Sequence, residues 1–197
     1  MKLPLLGITL LSIASSAKAV VIVQDNQPTA TIVVDQNADQ QIKNAAKTLQ
    51  SYIQKSTGAI LPISNMPGKN TNINIGETVF AKQHHLNPGD LDQDGFILQG
   101  VDAKNFAIIG GSGKGTANGV YDFLERYLSV RWLMPTAIGI DIPKHSTLDI
   151  PPTLVRQEPV YLSRQLSPMN DLDANNPEAQ WARFNRARGR IAFHHNM

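Results

Sequence analysis

Cysteine is absent from this chain, which excludes a disulfide framework, a Cys/His metal site and a lipid-modified cysteine anchor. Long apolar runs are missing too. The longest spans 3–13, too short to cross a bilayer as a helix. Aromatic residues are sparse, 6% of the chain with only two tryptophans, Trp132 and Trp181, so little is available for a surface platform of stacked rings. The histidines fall at 84–85, 145 and 194–195. Adjacent histidines on a strand face opposite sides, and no H-E-x-x-H spacing occurs, so no metal or other cofactor is expected. Nor is there a G-x-S-x-G elbow for acyl transfer.

What is present begins with a leader. Lys2, the apolar run behind it and Ala17-Lys18-Ala19 have the charged start, apolar centre and small-residue cleavage site of a secretory signal peptide. Residues 1–19 are therefore excluded from the fold, and a periplasmic or secreted location is expected. Lys2 and Lys18 leave with the leader, so 16 basic residues face 16 acidic ones. A mature chain without net charge has no global field for nucleic acid or an anionic membrane, and neither is expected as a partner.

Strand-like runs occur at 20–23, 31–34, 60–63, 73–75, 95–99 and 106–109. Between them, 39–57 places Ile42, Ala45, Ala46, Leu49, Tyr52 and Ile53 on one helical face, with Gly58 as the stop. A second helix over 116–128 carries Ala117, Val120, Tyr121, Leu124 and Leu128. Helices interspersed with short strands predict an α/β (α+β-like) fold, a mixed sheet packed by two main helices. From about Gly139, prolines at 143, 151, 152 and 159 read as an extended crossing segment. Strand-like residues 160–164 follow, then a polar loop and a helix opening on Asn176-Pro177-Glu178, ended by Gly189, and a strand at 191–193. Strand, helix and strand form an incomplete first β/α unit of a TIM-type barrel. The expected division is 1–19 signal peptide, 20–155 accessory domain and 156–197 linker and barrel start.

Two stretches imitate ligand loops. Gly110-Gly111-Ser112-Gly113-Lys114-Gly115-Thr116 follows a strand and precedes a helix, as a phosphate loop does. Yet Ile108 stands where the first motif glycine belongs and Gly115 where magnesium needs Ser or Thr. The expected reading is a tight turn with Thr116 as N-cap, and nucleotide binding through 110–116 is the weaker alternative. Asp90-Leu91-Asp92-Gln93-Asp94-Gly95 opens like a calcium loop, but Val101 occupies the position of the bidentate Glu, which favours a polar turn. The four arginines from Arg183 to Arg190 read as a solvated or ion-paired helix face.

The pattern Ala45-Ala46…Leu49…Tyr52-Ile53…Gly58…Leu61-Pro62-Ile63, Ile73-x-Ile75-Gly76, Asp94-Gly95-Phe96, Gly115-Thr116…Gly119-Val120-Tyr121-x-Phe123-Leu124-Glu125 and Val130-Arg131-Trp132-Leu133-x-Pro135 resembles a known accessory domain. It is similar to the N-terminal α/β domain that precedes the barrel in family 20 hexosaminidases, family 67 α-glucuronidases and related uncharacterised proteins. Pro159-x-Tyr161-x-x-Arg164 resembles the approach to the first barrel strand, and Phe193-His194-x-Asn196 the second strand. The resemblance nominates Arg164, His194 and Asn196 for substrate contact. It implies a non-catalytic accessory domain of a secreted carbohydrate-active hydrolase, with glycan bound by a barrel that the chain does not contain. Glycosidases act through paired carboxylates, which in those families sit on later strands; Asp171, Asp173 and Glu178 have no pairing in the sequence. The chain is expected to be inactive alone, as a fragment of a longer product or a truncated paralogue. A stand-alone carbohydrate-binding module is the runner-up.

Overall fold

A computed structural model of the chain describes residues 19–165 and 176–190. Strand β1 (Val20–Gln24) turns through Asp25 and Asn26, both at positive φ, into the short β2 (Gln27–Pro28), a backbone geometry that tight hairpins favour. Then come β3 (Ala30–Val34) and helix α1 (Gln40–Thr57). Its boundaries follow from single residues. Asp39 accepts a hydrogen bond from the Ile42 amide, and Gly58 takes φ 79° to close the C-terminus.

Next are β4 (Ile63–Ser64), β5 (Thr71–Ile75), the one-turn helix α2 (Val79–Gln83), β6 (Phe96–Asp102), β7 (Asn105–Gly110) and helix α3 (Gly113–Tyr127). Strands β8 (Arg131–Trp132), β9 (Ile140–Asp141), β10 (Leu148–Ile150) and β11 (Leu154–Gln157) precede helix α4 (Pro177–Phe184). The central sheet is mixed, in the order β11-β6-β7-β5-β3-β4. Its four strands β4, β3, β5 and β7 run parallel; β6 pairs antiparallel with β7, and β11 pairs antiparallel with β6 at the edge.

Alternation along the strands divides the interior. Ile32, Ile73, Phe96, Leu98, Phe106 and Ile108 face the main core with α1 and α3, whereas Ala107 and Ile109 meet Ala81 of α2 on the opposite side. β10 pairs with β1 in a second small sheet, so the proline-punctuated stretch is woven back into the domain.

Three local expectations are corrected. Helix α3 begins at Gly113, one turn before Thr116, because the Ser112 hydroxyl accepts from the Lys114 and Gly115 amides. Residues 160–164 form a bend, and Arg164 makes a single antiparallel bridge with Arg188; no described strand flanks Val160, Tyr161 and Leu162, whose side chains are exposed. Helix α4 stops at Phe184 with Asn185 as its C-cap, short of Gly189, as the chain turns to make that bridge.

Candidate functional site

The glycine-rich turn is filled from within. Gly110 donates its amide to Thr116 Oγ1 (3.1 Å) and Gly111 donates to the Gly95 carbonyl (3.0 Å). With the Lys114 and Gly115 amides given to Ser112, four of the donors that a phosphate cradle would use are committed to the protein. A carboxylate, that of Asp39, lies against the Cα of Gly113, where an incoming anion would be repelled. The glycines serve close approach instead. A Cβ on Gly111 would strike the Asp92 carbonyl, and one on Gly115 the carbonyls of Gly95 and Gln93. Ser112 adds a hydrogen bond to the Gln93 carbonyl (2.6 Å). The glycine turn is thus the seat of the aspartate turn.

The aspartate turn in its place holds the C-terminal segment. The carboxylates of Asp92 and Asp94 are both taken up by arginines. Asp94, with a side chain 1% exposed, accepts from Arg164 Nη2 (2.8 Å), Arg188 Nη1 and Arg190 Nη2 (3.1 Å). Asp92 pairs with both terminal nitrogens of Arg190, one at 2.8 Å. Its backbone amide donates to Glu158 (3.0 Å). The hydrogen bonds from Arg190 and then from the Asp94 amide lower the Asp92 carboxyl to about 2. Burial pushes Asp94 upward, but hydrogen bonds from Arg164 and Arg188 outweigh it and hold this carboxyl below its ordinary range.

An aromatic cup makes the second attachment. Phe184 stacks on Trp132 with ring centroids 4.8 Å apart and meets Tyr121 and Tyr52 edge-on at 5.1 and 5.9 Å. Trp132 donates its indole N–H to the Tyr52 hydroxyl (2.8 Å), and Trp181 donates to the Trp132 carbonyl (2.9 Å). Arg186 pairs with Glu125 at 2.6 Å. Trp132 is buried in this junction and Trp181 is half-buried against it, its indole N–H committed to the Trp132 carbonyl.

Between α1, α3 and residues 180–188 runs a groove of about 660 Å³. Arg164 lines it, and its guanidinium also donates to the carbonyls of Arg186 (3.1 Å) and Tyr161 (2.7 Å). His194 and Asn196, like Asp171, Asp173 and residues 191–193, lie outside the described residues. Sequence reasoning missed the pairing of the aspartate turn with the arginines, and it missed the groove. Among the described residues no group of three or more histidines and carboxylates is placed to hold a metal ion, and no helix is long and apolar enough to cross a membrane.

Comparison with known proteins follows the same lines. No curated protein matches the chain. Among solved structures it is similar to a family GH115 4-O-methyl-alpha-glucuronidase, BtGH115A, with specificity for decorated arabinogalactans. That likeness has TM-score 0.53 and 17% identity, over 74% of this chain and 19% of the other. It is also similar to the GH20 beta-N-acetylhexosaminidase from Streptomyces coelicolor A3(2) (TM-score 0.51, 14% identity, 76% of this chain and 26% of the other). A mutant Streptomyces plicatus beta-hexosaminidase in complex with its product GlcNAc gives TM-score 0.50 at 16% identity, over 77% of this chain and 26% of the other. The chain therefore spans about a fifth to a quarter of these proteins' length, and at such identities the likeness is one of fold. The family described as glycosyl hydrolase family 67 N-terminus matches residues 15–123, which covers β1 to β7 and most of α3. The chain belongs to this family of glycoside hydrolase N-terminal accessory domains.

Proposed function

We propose that this chain is the exported, non-catalytic accessory part of a glycan-degrading hydrolase, and that it orients a catalytic barrel following residue 157. One observation carries the reading: residues 160–165 and 176–190 are seated on the domain at two separate points, the Asp92–Asp94 clamp and the Phe184 cup. Two attachments fix direction as well as position, which is what a brace for a following domain needs. The proposal that it does not itself hydrolyse glycosides is supported by the electrostatics. A glycosidase acid needs a raised pKa, whereas Asp92, Asp94 and Glu158 are all lowered by hydrogen-bonded partners. Export is supported by the leader-like 1–19 stretch.

The test has three measurements. DNA beyond the Met197 codon is expected to continue in frame into a barrel with paired acids. The purified chain is expected to leave aryl α-glucuronides and aryl β-N-acetylhexosaminides intact. Protein recovered from the periplasm or medium is expected to begin at Val20. Turnover by the chain alone, or a stop codon with no barrel-encoding frame nearby, would overturn the reading.

A further inference from the structure

We infer that the loop between β8 and β9, residues 133–139, is an apolar peg received by the outer surface of the domain that follows, a third attachment beside the clamp and the cup. The inference rests on the accessory-domain reading above. No charged residue lies between Arg131 and Asp141. Within the loop Leu133, Met134 and Ile138 are 69%, 54% and 88% exposed. Large apolar side chains gathered on one exposed loop mark a contact surface. The loop is closed tightly. The Leu133 amide donates to the Gly139 carbonyl (2.8 Å) and the Gly139 amide to the Thr136 carbonyl (3.2 Å). A Cβ on Gly139 would strike the Met134 backbone. Thr136 supplies an independent observation. Although β-branched, it holds φ 74° and ψ 169°, a region nearly reserved for glycine. Exposed apolar surface and backbone strain both cost the domain stability on its own, and burial of the tip would offset them.

What adjoins the loop decides its occupant. The stem of the loop is part of the cup. The Trp132 carbonyl, one residue before Leu133, accepts from Trp181 Nε1 (2.9 Å) and Asn185 Nδ2 (3.1 Å). Helix α4, placed there, has no fully buried residue, and Trp181 and Phe184 are only partly covered. The tip thus continues an apolar junction through which the C-terminal segment is already docked. A second copy of this chain is a poorer occupant. Three side chains fall far short of the roughly 800 Å² that each partner buries in a stable complex, whereas a tethered domain meets them at high effective concentration. A lipid surface is poorer too. Arg131 directs its guanidinium to the carbonyls of Glu125 (2.9 Å) and Val130 (2.8 Å), and the other flank is Asp141, which an anionic headgroup repels. The matching surface on the barrel is an apolar, uncharged recess, since a charge buried there would find no counter-ion in the tip.

The gene product that continues past Met197 is purified with a photoreactive benzoylphenylalanine at Ile138, or at Val79 as control, then irradiated and mapped by mass spectrometry. Val79 is 64% exposed on α2, across the sheet from α1 and α3. Position 138 should cross-link within one molecule to barrel residues beyond 197, and position 79 should not. Leu133→Ser with Ile138→Ser should leave the chain ending at Met197 melting within about 2 °C of the parent. The same pair should lower the first melting transition of the longer product by at least about 3 °C. Silence at position 138, equal linking from both positions, links joining two molecules, or equal melting shifts in the short and long products would each overturn the inference. So would pelleting of the short chain, but not of its double variant, with phosphatidylglycerol vesicles. Any of these results with a barrel encoded in frame removes only the peg. The absence of a barrel removes the accessory-domain reading along with it.

Discussion

Asp94 is the residue on which the C-terminal segment turns. Its side chain is almost wholly buried and holds three arginines that are themselves only 18–25% exposed. Replacing one member of such a buried cluster costs more than forming it gains, because the remaining charges lose their counter-ion. Asp94→Asn is expected to cost about 2–3 kcal/mol, the lower end of the range for partly exposed partners. In a domain of this size that is a fall of roughly 4–12 °C in Tm, measurable by calorimetry. Acid should act at the same place. Asp92 and Asp94 both have folded-state values below those of the unfolded chain. Their contribution is therefore complete above about pH 4, the ordinary carboxylate value, and is lost as the pH falls toward about 2, where Asp92 itself titrates. Emission from Trp132 and Trp181 should report a transition in that window, and Asp92→Asn should diminish it. A flat emission profile from pH 5 to 2 would contradict the clamp.

Among the elements, the glycine turn separates packing from ligand chemistry most cleanly. Gly115→Ala places a methyl against the carbonyls of Gly95 and Gln93 and is expected to cost about 2–3 kcal/mol by overpacking. Lys114→Ala should stay within about 0.5 kcal/mol of the parent, since Lys114 is exposed. Magnesium-ATP should shift the melting of neither variant nor parent. A shift in the parent that vanished with Lys114→Ala would restore the phosphate loop. The same elements show what the sequence made legible. Gly58 marked the end of α1, and Asn176-Pro177-Glu178 marked the start of α4, because caps are local chemistry. The start of α3 was not legible in this way. Ser112 and Thr116 are both capable hydroxyls, and only contact with the distant aspartate turn decides between them. The site was less legible still. Asp94 and Arg164 are separated by 70 residues, and Asp92 and Arg190 by 98. No periodicity links them, and charge alone does not say which aspartate meets which arginine. The expectation of an ion-paired arginine face found the class of partner and not its address.

For the molecule as a whole, the sheet and the docked segment share one boundary. A chain ending at Gln157 would uncover Tyr52, Tyr121 and Trp132 by removing Phe184, and would leave Asp94 buried without its cations. It is expected to melt below the parent and to bind a hydrophobic dye that the parent excludes; equal melting and equal dye response would show the segment to be dispensable. The small sheet adds a constraint on timing. β1 opens the described chain, yet the strand that completes its far edge lies about 125 residues later, as Val23 meets Leu148. At roughly 5–20 residues per second of synthesis, that strand leaves the ribosome some 6–25 seconds after β1 does. Until then β1 has only the two-residue β2 to pair with, so a chain exported as proposed would reach the export channel with its first strand still unfastened.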